Sequence, residues 1–281
     1  MNIRDAIINS MKELNNSTTP KLDIELILCK VLGVDRIYIH INLDKNLTRD
    51  EEERFRYFLN QRKEGRPIAY ILGNKEFMGL DFFVKEGVLI PRSDTEILVQ
   101  EVINLSKNIK NPLIIDIGTG SGAISVSLAK FIKCSKVYSL DISDIALEVG
   151  KINAKNNGVE DSIVFLKSDL FSAVENLNLQ SDIVVSNPPY IRKREIYTLD
   201  RDVKDYEPLL ALDGGEDGLD FYRRITRESL KFLKKNGILA YEVGYDQADD
   251  VKKIMLDNGF DSIKIVKDLS GIQRVVIGFK I

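Results

Sequence analysis

Asn187-Pro188-Pro189-Tyr190 follows the apolar run Ile183-Val184-Val185-Ser186, which reads as a buried strand. Neither proline has an N–H to give to a sheet ladder, so the strand stops at Asn187. A stiff turn then presents an amide side chain, the Pro188 carbonyl and a phenol ring at the strand's carboxyl end, where open parallel sheets bind ligands. Asn187 and the Pro188 carbonyl offer two acceptors that can hold both hydrogens of an incoming planar NH2 group. Such a nitrogen is a poor nucleophile because its lone pair is delocalised, yet hydrogen bonds to its protons favour positive charge building there in the transition state. No general base is required, because the alkylated nitrogen is acidic enough to lose a proton to solvent. Tyr190 can cover the reacting plane and stabilise a nearby cation such as a sulfonium methyl. A plain Pro-Pro turn after a core strand is the competing structural reading.

A second stretch, Asp116-Ile117-Gly118-Thr119-Gly120-Ser121-Gly122, sits at the turn from another strand into a helix. Its glycines let the backbone pass close to a ligand. Asp141 closes the next strand about twenty residues on, where a carboxylate accepts both ribose hydroxyls of a nucleoside. Ser168-Asp169-Leu170 closes the strand after that, where an acid and a backbone N–H can read an adenine edge. The loop has no Lys or Arg to balance a pyrophosphate. It suits S-adenosyl-L-methionine, which has an adenosine, an ammonium, a carboxylate and a sulfonium but no phosphate. A dinucleotide is the runner-up for the loop, and it leaves residues 187–190 unexplained.

The elements that must position these groups follow from periodicity. Residues 1–73 read as helices: Ile3, Ala6, Ile7 and Met11 repeat at helical spacing, and a polar break spans 15–19. Thr19 with Pro20 reads as a helix start, Gly33 as a stop, and Thr48 with Glu51 as a capping box. Residues 74–90 read as a β-hairpin linker around Gly79, rich in phenylalanine. Ser93 and Glu96 again have capping-box spacing, before a helix over 97–105. From Leu113 the chain alternates: strands at 113–117, 136–140, 163–167, 181–186 and 237–243, with helices at 121–132, 143–157, 219–233 and 246–258. Two last strands, 263–266 and 274–279, have too short a connection for a parallel crossover and must be antiparallel. A mostly parallel sheet closed by an antiparallel hairpin predicts a Rossmann-like, class I S-adenosylmethionine-dependent methyltransferase fold over 91–281, with a small N-terminal helical domain.

Composition removes several alternatives. The chain has 281 residues, 44% hydrophobic, and a net charge of −3, near balance in both the first 85 residues and the rest. That gives no global pull toward nucleic acid, and no direct nucleic-acid binding is expected. Two cysteines in no metal or redox spacing read as reduced thiols. A single histidine, His40, argues against Ser-His-Asp chemistry and multi-histidine metal sites, and no metal is expected. The first residues show neither a signal peptide nor a spanning helix, so the expected place is the cytoplasm, with no membrane partner.

Further segments carry a resemblance across nearly the whole chain. They are Arg66-Pro67-Ile68-Ala69-Tyr70-Ile71-Leu72-Gly73, Val88-Leu89-Ile90-Pro91-Arg92 with Asp94-Thr95-Glu96, Tyr206-Glu207-Pro208, Gly214-Gly215-Glu216-Asp217-Gly218-Leu219, Tyr222-Arg223, and Lys267-Asp268-Leu269-Ser270-Gly271 with Arg274-Val275-Val276. With the two stretches above, they resemble the release factor glutamine methyltransferases, also called the HemK or PrmC family. The resemblance implies methyl transfer to the side-chain amide nitrogen (N5) of the glutamine in the Gly-Gly-Gln motif of peptide chain release factors, leaving S-adenosyl-L-homocysteine. It implies that Gly118, Thr119, Gly120, Ser121, Gly122, Asp141, Asp169, Leu170 and Asn187 line the cofactor. Asn187 binds the acceptor amide, and Pro188, Pro189 and Tyr190 shape the glutamine slot, with Asn187, Pro188 and Tyr190 acting in catalysis. In the family the N-terminal helices help hold the protein substrate. Ser93 departs from the pattern, which usually has a second proline there, and this favours the capping reading of Glu96. The tetrapeptide alone is shared with adenine-N6 methyltransferases acting on nucleic acid and with glutamine methyltransferases acting on ribosomal proteins, and these are the alternatives. The basic cluster Arg192-Lys193-Arg194 borders the predicted site.

Overall fold

Apolar runs of five or six residues, each ended by glycine, proline or an acid, form the centre of this computed structural model, which describes residues 1–14 and 17–281. The described residues fall into two compact units, Met1–Asn74 with Asp200–Tyr206, and Lys75–Leu199 with Glu207–Ile281. The predicted polar break at 15–19 includes residues 15 and 16, which lie outside the described residues.

The first unit holds α1 (Ile3–Met11), α2 (Pro20–Leu32), α3 (Arg36–Ile41), α4 (Arg49–Lys63) and α5 (Ile68–Leu72). Ile3, Ala6 and Ile7 pack with Ile24, Ile27, Leu28, Phe55 and Leu59 in one apolar cluster. The helix ends follow local chemistry. Thr48 and Glu51 form the reciprocal capping box, and Gly33 takes the left-handed conformation that stops α2. Thr19 occupies the N-cap of α2 without capping it; its hydroxyl donates to Asp23 instead, at 3.3 Å. His40 is half exposed, 3.5 Å from the buried Glu25.

In the second unit a two-stranded hairpin, β1 (Asn74–Phe77) and β2 (Leu80–Phe83), leads to α6 (Thr95–Ser106). Met78 and Gly79 both have positive φ, 54° and 72°, as a two-residue hairpin turn requires. Phe77 and Phe82 then pack into the core of this unit. The predicted capping box at the start of α6 is absent. Asp94 is the N-cap and makes no side-chain cap bond, while the Glu96 carboxylate accepts the Met78 N–H at 2.7 Å. A non-glycine residue held at positive φ needs support, and the hairpin takes Glu96 for it.

Next come β3 (Leu113–Ile117), α7 (Ala123–Phe131), β4 (Lys136–Asp141), α8 (Asp144–Asn156), β5 (Ile163–Lys167) and β6 (Ser181–Ser186). The short α9 (Arg201–Lys204) lies in the segment that belongs to the first unit; α10 (Asp220–Ser229), β7 (Leu233–Glu242), α11 (Ala248–Asp257), β8 (Phe260–Lys267) and β9 (Gln273–Lys280) complete the second. The described strands form a seven-stranded sheet in the order β5-β4-β3-β6-β7-β9-β8, parallel except for β9, which is antiparallel to both neighbours. Strand alternation divides the core into two layers. Ile114, Ile183, Val185, Ile238 and Ala240 face a cluster with Leu98, Val102, Ile124 and Val126, while Ile115, Val184, Leu239 and Tyr241 face one with Tyr222, Ile225, Val251 and Met255. Helices thus cover both faces, as in the class I methyltransferase fold.

Chain order turns around between β3 and β6: from β3 the strands run outward through β4 to β5 on one side and through β6 to β7 on the other. Ligands bind at such switch points, beyond the carboxyl ends of the strands. The parallel register pairs Ile117 with Ser186, so the glycine loop at 118–122 and the turn at 187–190 leave the sheet side by side.

Candidate active site

A cleft of about 340 Å³ opens at these strand ends, within the range of about 300–1,000 Å³ usual for small-molecule sites. Its wall brings together Gly118, Thr119, Gly120, Ser121, Asp141, Asp169, Leu170, Asn187, Pro188 and Pro189. Gly122 and Tyr190, the other two predicted site residues, are not in the wall.

The glycine loop is held from behind by a buried hydroxyl cluster. Thr119 and Ser125 donate to one oxygen of Asp116 at 2.8 and 2.7 Å, and Ser139 donates to Thr119 at 2.7 Å. Burial pushes the Asp116 carboxyl up to about 6. The Asn153 amide ties the loop to the hairpin, donating to Ser121 and Phe83 carbonyls at 2.8 and 3.0 Å. Gly122 is the N-cap of α7 at φ 81°; a Cβ there would stand 3.1 Å from the Cα of Gly150. Its part is therefore the close approach of α7 to α8, rather than contact with the cleft.

Asp141 accepts the Gly120 N–H at 2.8 Å on one oxygen and the Ser143 N–H at 2.9 Å on the other. Burial raises its pKa against those bonds, and it presents remaining lone pairs to the cleft. Asp169 is gripped by Arg224 of α10 through both oxygens, at 3.0 and 3.1 Å. Arg224 and Phe221 both line the cleft, and nothing in the local sequence signalled them.

At the end of β6, Ser186 donates to the Ile117 carbonyl at 2.7 Å and fastens the two strand ends together. Asn187 Nδ2 donates to Thr95 Oγ1 at 3.1 Å, and its Oδ1 takes no bond from the described residues. The Tyr190 ring packs against the layer of Tyr222 and Tyr241, and its hydroxyl lies 3.4 Å from Glu242. Burial pushes this phenol well above its usual range. Tyr190, predicted to cover the reacting plane, stands outside the cleft wall, with its ring partly buried against this layer. Arg92 lines the cleft with its guanidinium on the buried Glu207 at 2.6 Å. Arg192 reaches Asp246 at 2.9 Å and Arg194 is exposed beside Glu195, so the basic cluster is largely neutralised by its neighbours.

The donor set fits S-adenosylmethionine. The loop offers N–H groups and hydroxyls without a cation, both cleft arginines are already paired with carboxylates, and Asp141 presents to the cleft a carboxylate able to accept hydroxyl groups. Much of the remaining wall is apolar, with Val88, Leu89, Ile124 and Ile142 among it.

Comparisons with known proteins agree with this geometry. Residues 5–73 match the PrmC N-terminal domain and residues 93–203 the methyltransferase small domain. A release factor glutamine methyltransferase from Clostridium acetobutylicum is 44% identical over 283 residues, covering 100% of this chain and 99% of its own. Among solved structures, a methyltransferase from Pyrococcus furiosus superposes with a TM-score of 0.54 at 19% identity, covering 82% of this chain and 98% of its own. A Thermus thermophilus 16S rRNA methyltransferase solved with AdoMet and guanosine gives 0.53 at 14% identity, over 74% of this chain and 50% of its own. These two show the fold. From the full-length likeness, the chain belongs to the release factor glutamine methyltransferases, S-adenosylmethionine-dependent enzymes.

Proposed function

We propose that this enzyme methylates N5 of the glutamine in the Gly-Gly-Gln motif of peptide chain release factors in the cytoplasm. The observation that carries the reading is the adjacency set by the β3–β6 register: a cofactor loop and an acceptor turn leave the sheet at paired residues, Ile117 and Ser186. S-adenosylmethionine, when bound, supplies an electrophilic methyl group on a sulfonium. The chain's part is to bring an amide nitrogen in line with it.

Asn187 Oδ1 and the Pro188 carbonyl accept the two N–H bonds of the glutamine side chain. That grip lets the nitrogen carry positive charge as the N–C bond forms and the S–C bond breaks. The proton then leaves from nitrogen to solvent, and S-adenosylhomocysteine is the other product. Gly118, Thr119, Gly120, Ser121, Asp141, Asp169 and Leu170 hold the cofactor, and Gly122 supports them by setting the helix behind. Pro188 and Pro189 shape the glutamine slot, while Tyr190, partly buried, acts as its footing. Alignment of the two reactants supplies most of the rate. Residues 1–73 serve as the substrate-recognition domain, 74–90 as the linker and 91–281 as the catalytic domain.

Mass spectrometry of a release factor incubated with the enzyme and S-adenosylmethionine tests the reading. One added methyl on the Gly-Gly-Gln glutamine is the expected result. Methylation elsewhere on the factor, or only of a ribosomal protein or an adenine, would overturn it.

A further inference from the structure

A glutamine on a glycine loop gives an enzyme little of a protein substrate to hold. A standard protein–protein interface covers about 800 Å² of each partner, far more than one amide side chain and its glycines can bury. Apolar surface beside the cleft has to supply the rest.

Such surface lies at the carboxyl edge of the sheet, beyond β7, β9 and β8. Tyr245, which follows β7, is 67% exposed; Leu269, at the tip of the β8–β9 turn, is fully exposed, and Ile272 on the same turn is 37% exposed. One exposed leucine is ordinary, but these three share one rim. The Val243 N–H donates to the Arg274 carbonyl at 2.9 Å and extends the β7–β9 ladder, so Tyr245 leaves β7 alongside the 268–272 turn.

Bonds join this rim to the acceptor turn on both sides. Arg192, two residues after Tyr190, donates to Asp246 at 2.9 Å, and Gln247 donates to the Tyr190 carbonyl at 2.9 Å. Tyr245 thus directly precedes two residues fastened to the turn. Arg274 links Asp268, at 3.1 Å, to Asp94, at 3.0 Å, and the next residue, Thr95, receives the Asn187 amide. The tip is also firmly closed. The Asp268 carboxylate accepts the N–H groups of Ser270 and Ile272, both at 2.9 Å, and the Gly271 N–H donates to the Asp268 carbonyl at 3.0 Å. An apolar side chain carried on a fixed backbone loses little further freedom on binding.

We infer that Tyr245, Ile272 and Leu269 form a docking rim for apolar surface of the release factor beside its Gly-Gly-Gln loop. The inference rests on the glutamine reading above. A protein fits this rim better than a nucleic acid does, because Arg192 and Arg274 are both taken by carboxylates and neither is left for a phosphate.

The test compares the full-length parent with Leu269→Ser, Tyr245→Ser and the double variant; both side chains are exposed, so the fold should hold. With S-adenosylhomocysteine present, the calorimetric Kd of the double variant for an intact release factor should be about 10- to 100-fold weaker than the parent's, the loss expected when two apolar anchors are truncated. KM for the factor should rise similarly, while kcat and the Kd for S-adenosylmethionine stay within about threefold. Phe131→Ser, an exposed position at the end of α7 remote from the glycine loop, should change none of these. An unchanged release-factor Kd in the double variant would overturn the inference, as would an equal loss in Phe131→Ser. Lost affinity for an RNA oligonucleotide, with release-factor affinity kept, would overturn it in favour of a nucleic-acid rim. A parent that does not bind the factor would overturn both the rim and the substrate reading. A parent that binds it but leaves the glutamine unmethylated would refute the substrate reading alone, and the Kd comparison would still decide the rim.

Discussion

At the scale of single residues the proposed reaction rests most on Asn187, whose two ends have different surroundings. One end is committed to Thr95, and the other is free at the cleft. Asn187→Ala should therefore lower kcat on a release factor by about 100- to 1,000-fold, the loss seen when one aligned polar group is removed from a transition state. Its Kd for S-adenosylmethionine, measured by calorimetry, should change far less than kcat. Asp141 predicts the reverse pattern. Its carboxylate braces Gly120 and faces the cleft, so Asp141→Ala should weaken cofactor binding about 10- to 100-fold, the range for hydrogen bonds to a charged group. Much of kcat should return at saturating cofactor, in the same calorimetric and steady-state assays. Tyr190→Phe removes only a hydroxyl 3.4 Å from its partner and should cost less than about threefold in kcat. Asn187 and Asp141 were legible from sequence because each sits where a strand must end. Thr95 was not, because 92 residues of chain separate it from Asn187 and only the packing of α6 brings its hydroxyl to the amide.

At the scale of elements, the acceptor turn is held by a brace remote in sequence. Ile191 pairs with Asp213 in an isolated parallel bridge, the Gly214 N–H donates to the Ile191 carbonyl at 2.9 Å, and Gln247 donates to the Tyr190 carbonyl at 2.9 Å. The brace comes so close that a Cβ on Gly214 would stand 2.7 Å from the Tyr190 Cα and 2.8 Å from the Pro189 oxygen. Backbone on both sides cannot yield as a flexible side chain can. Gly214→Ala should shift the turn and cut kcat by about 100-fold, as a displacement near 1 Å does, with cofactor affinity largely kept because the glycine loop is untouched. Equal losses of turnover and of cofactor affinity would mean that the brace supports the whole cleft instead. The strands at 113–117, 163–167 and 181–186 were legible to the residue, since apolar runs and breakers mark both ends. The start of α6 was misread because Ser93 and Glu96 satisfy capping-box spacing while Glu96 is drawn off by the positive-φ turn at Met78. Strand β7 begins at Leu233, ahead of the predicted Gly237, because its early residues Lys234, Lys235 and Asn236 are exposed and carry no apolar signal.

For the whole molecule, buried acids should set how stability varies with pH: Glu242 and Asp116 most, with Asp141 acting in the same direction. Glu242 is pushed up from 4.5 to about 7 and Asp116 from 3.8 to about 6, both chiefly by loss of water around the carboxylate. Each group holds its proton in the folded protein over a pH range in which the unfolded chain has released it. The folded state thus binds more protons than the unfolded one between about pH 4 and 7, and stability falls as pH rises through that window. Below it both states are protonated and the advantage is complete; above it both are ionised and the loss levels off. At 1.36 kcal/mol per pKa unit, each acid contributes on the order of 3 kcal/mol at most to the difference. The acids with lowered pKa, Glu13, Glu51, Asp217 and Asp268, act with the opposite sign, but they lie at the surface and titrate below the window. With no tryptophan in the chain, unfolding by urea is best followed by circular dichroism, at pH 5 and at pH 8. The parent should be less stable at pH 8, and Glu242→Gln should lose a substantial part of that difference, because one of the buried ionisations, beside those of Asp116 and Asp141, is gone. A parent equally stable at both values would mean that water reaches these carboxyls in the folded state.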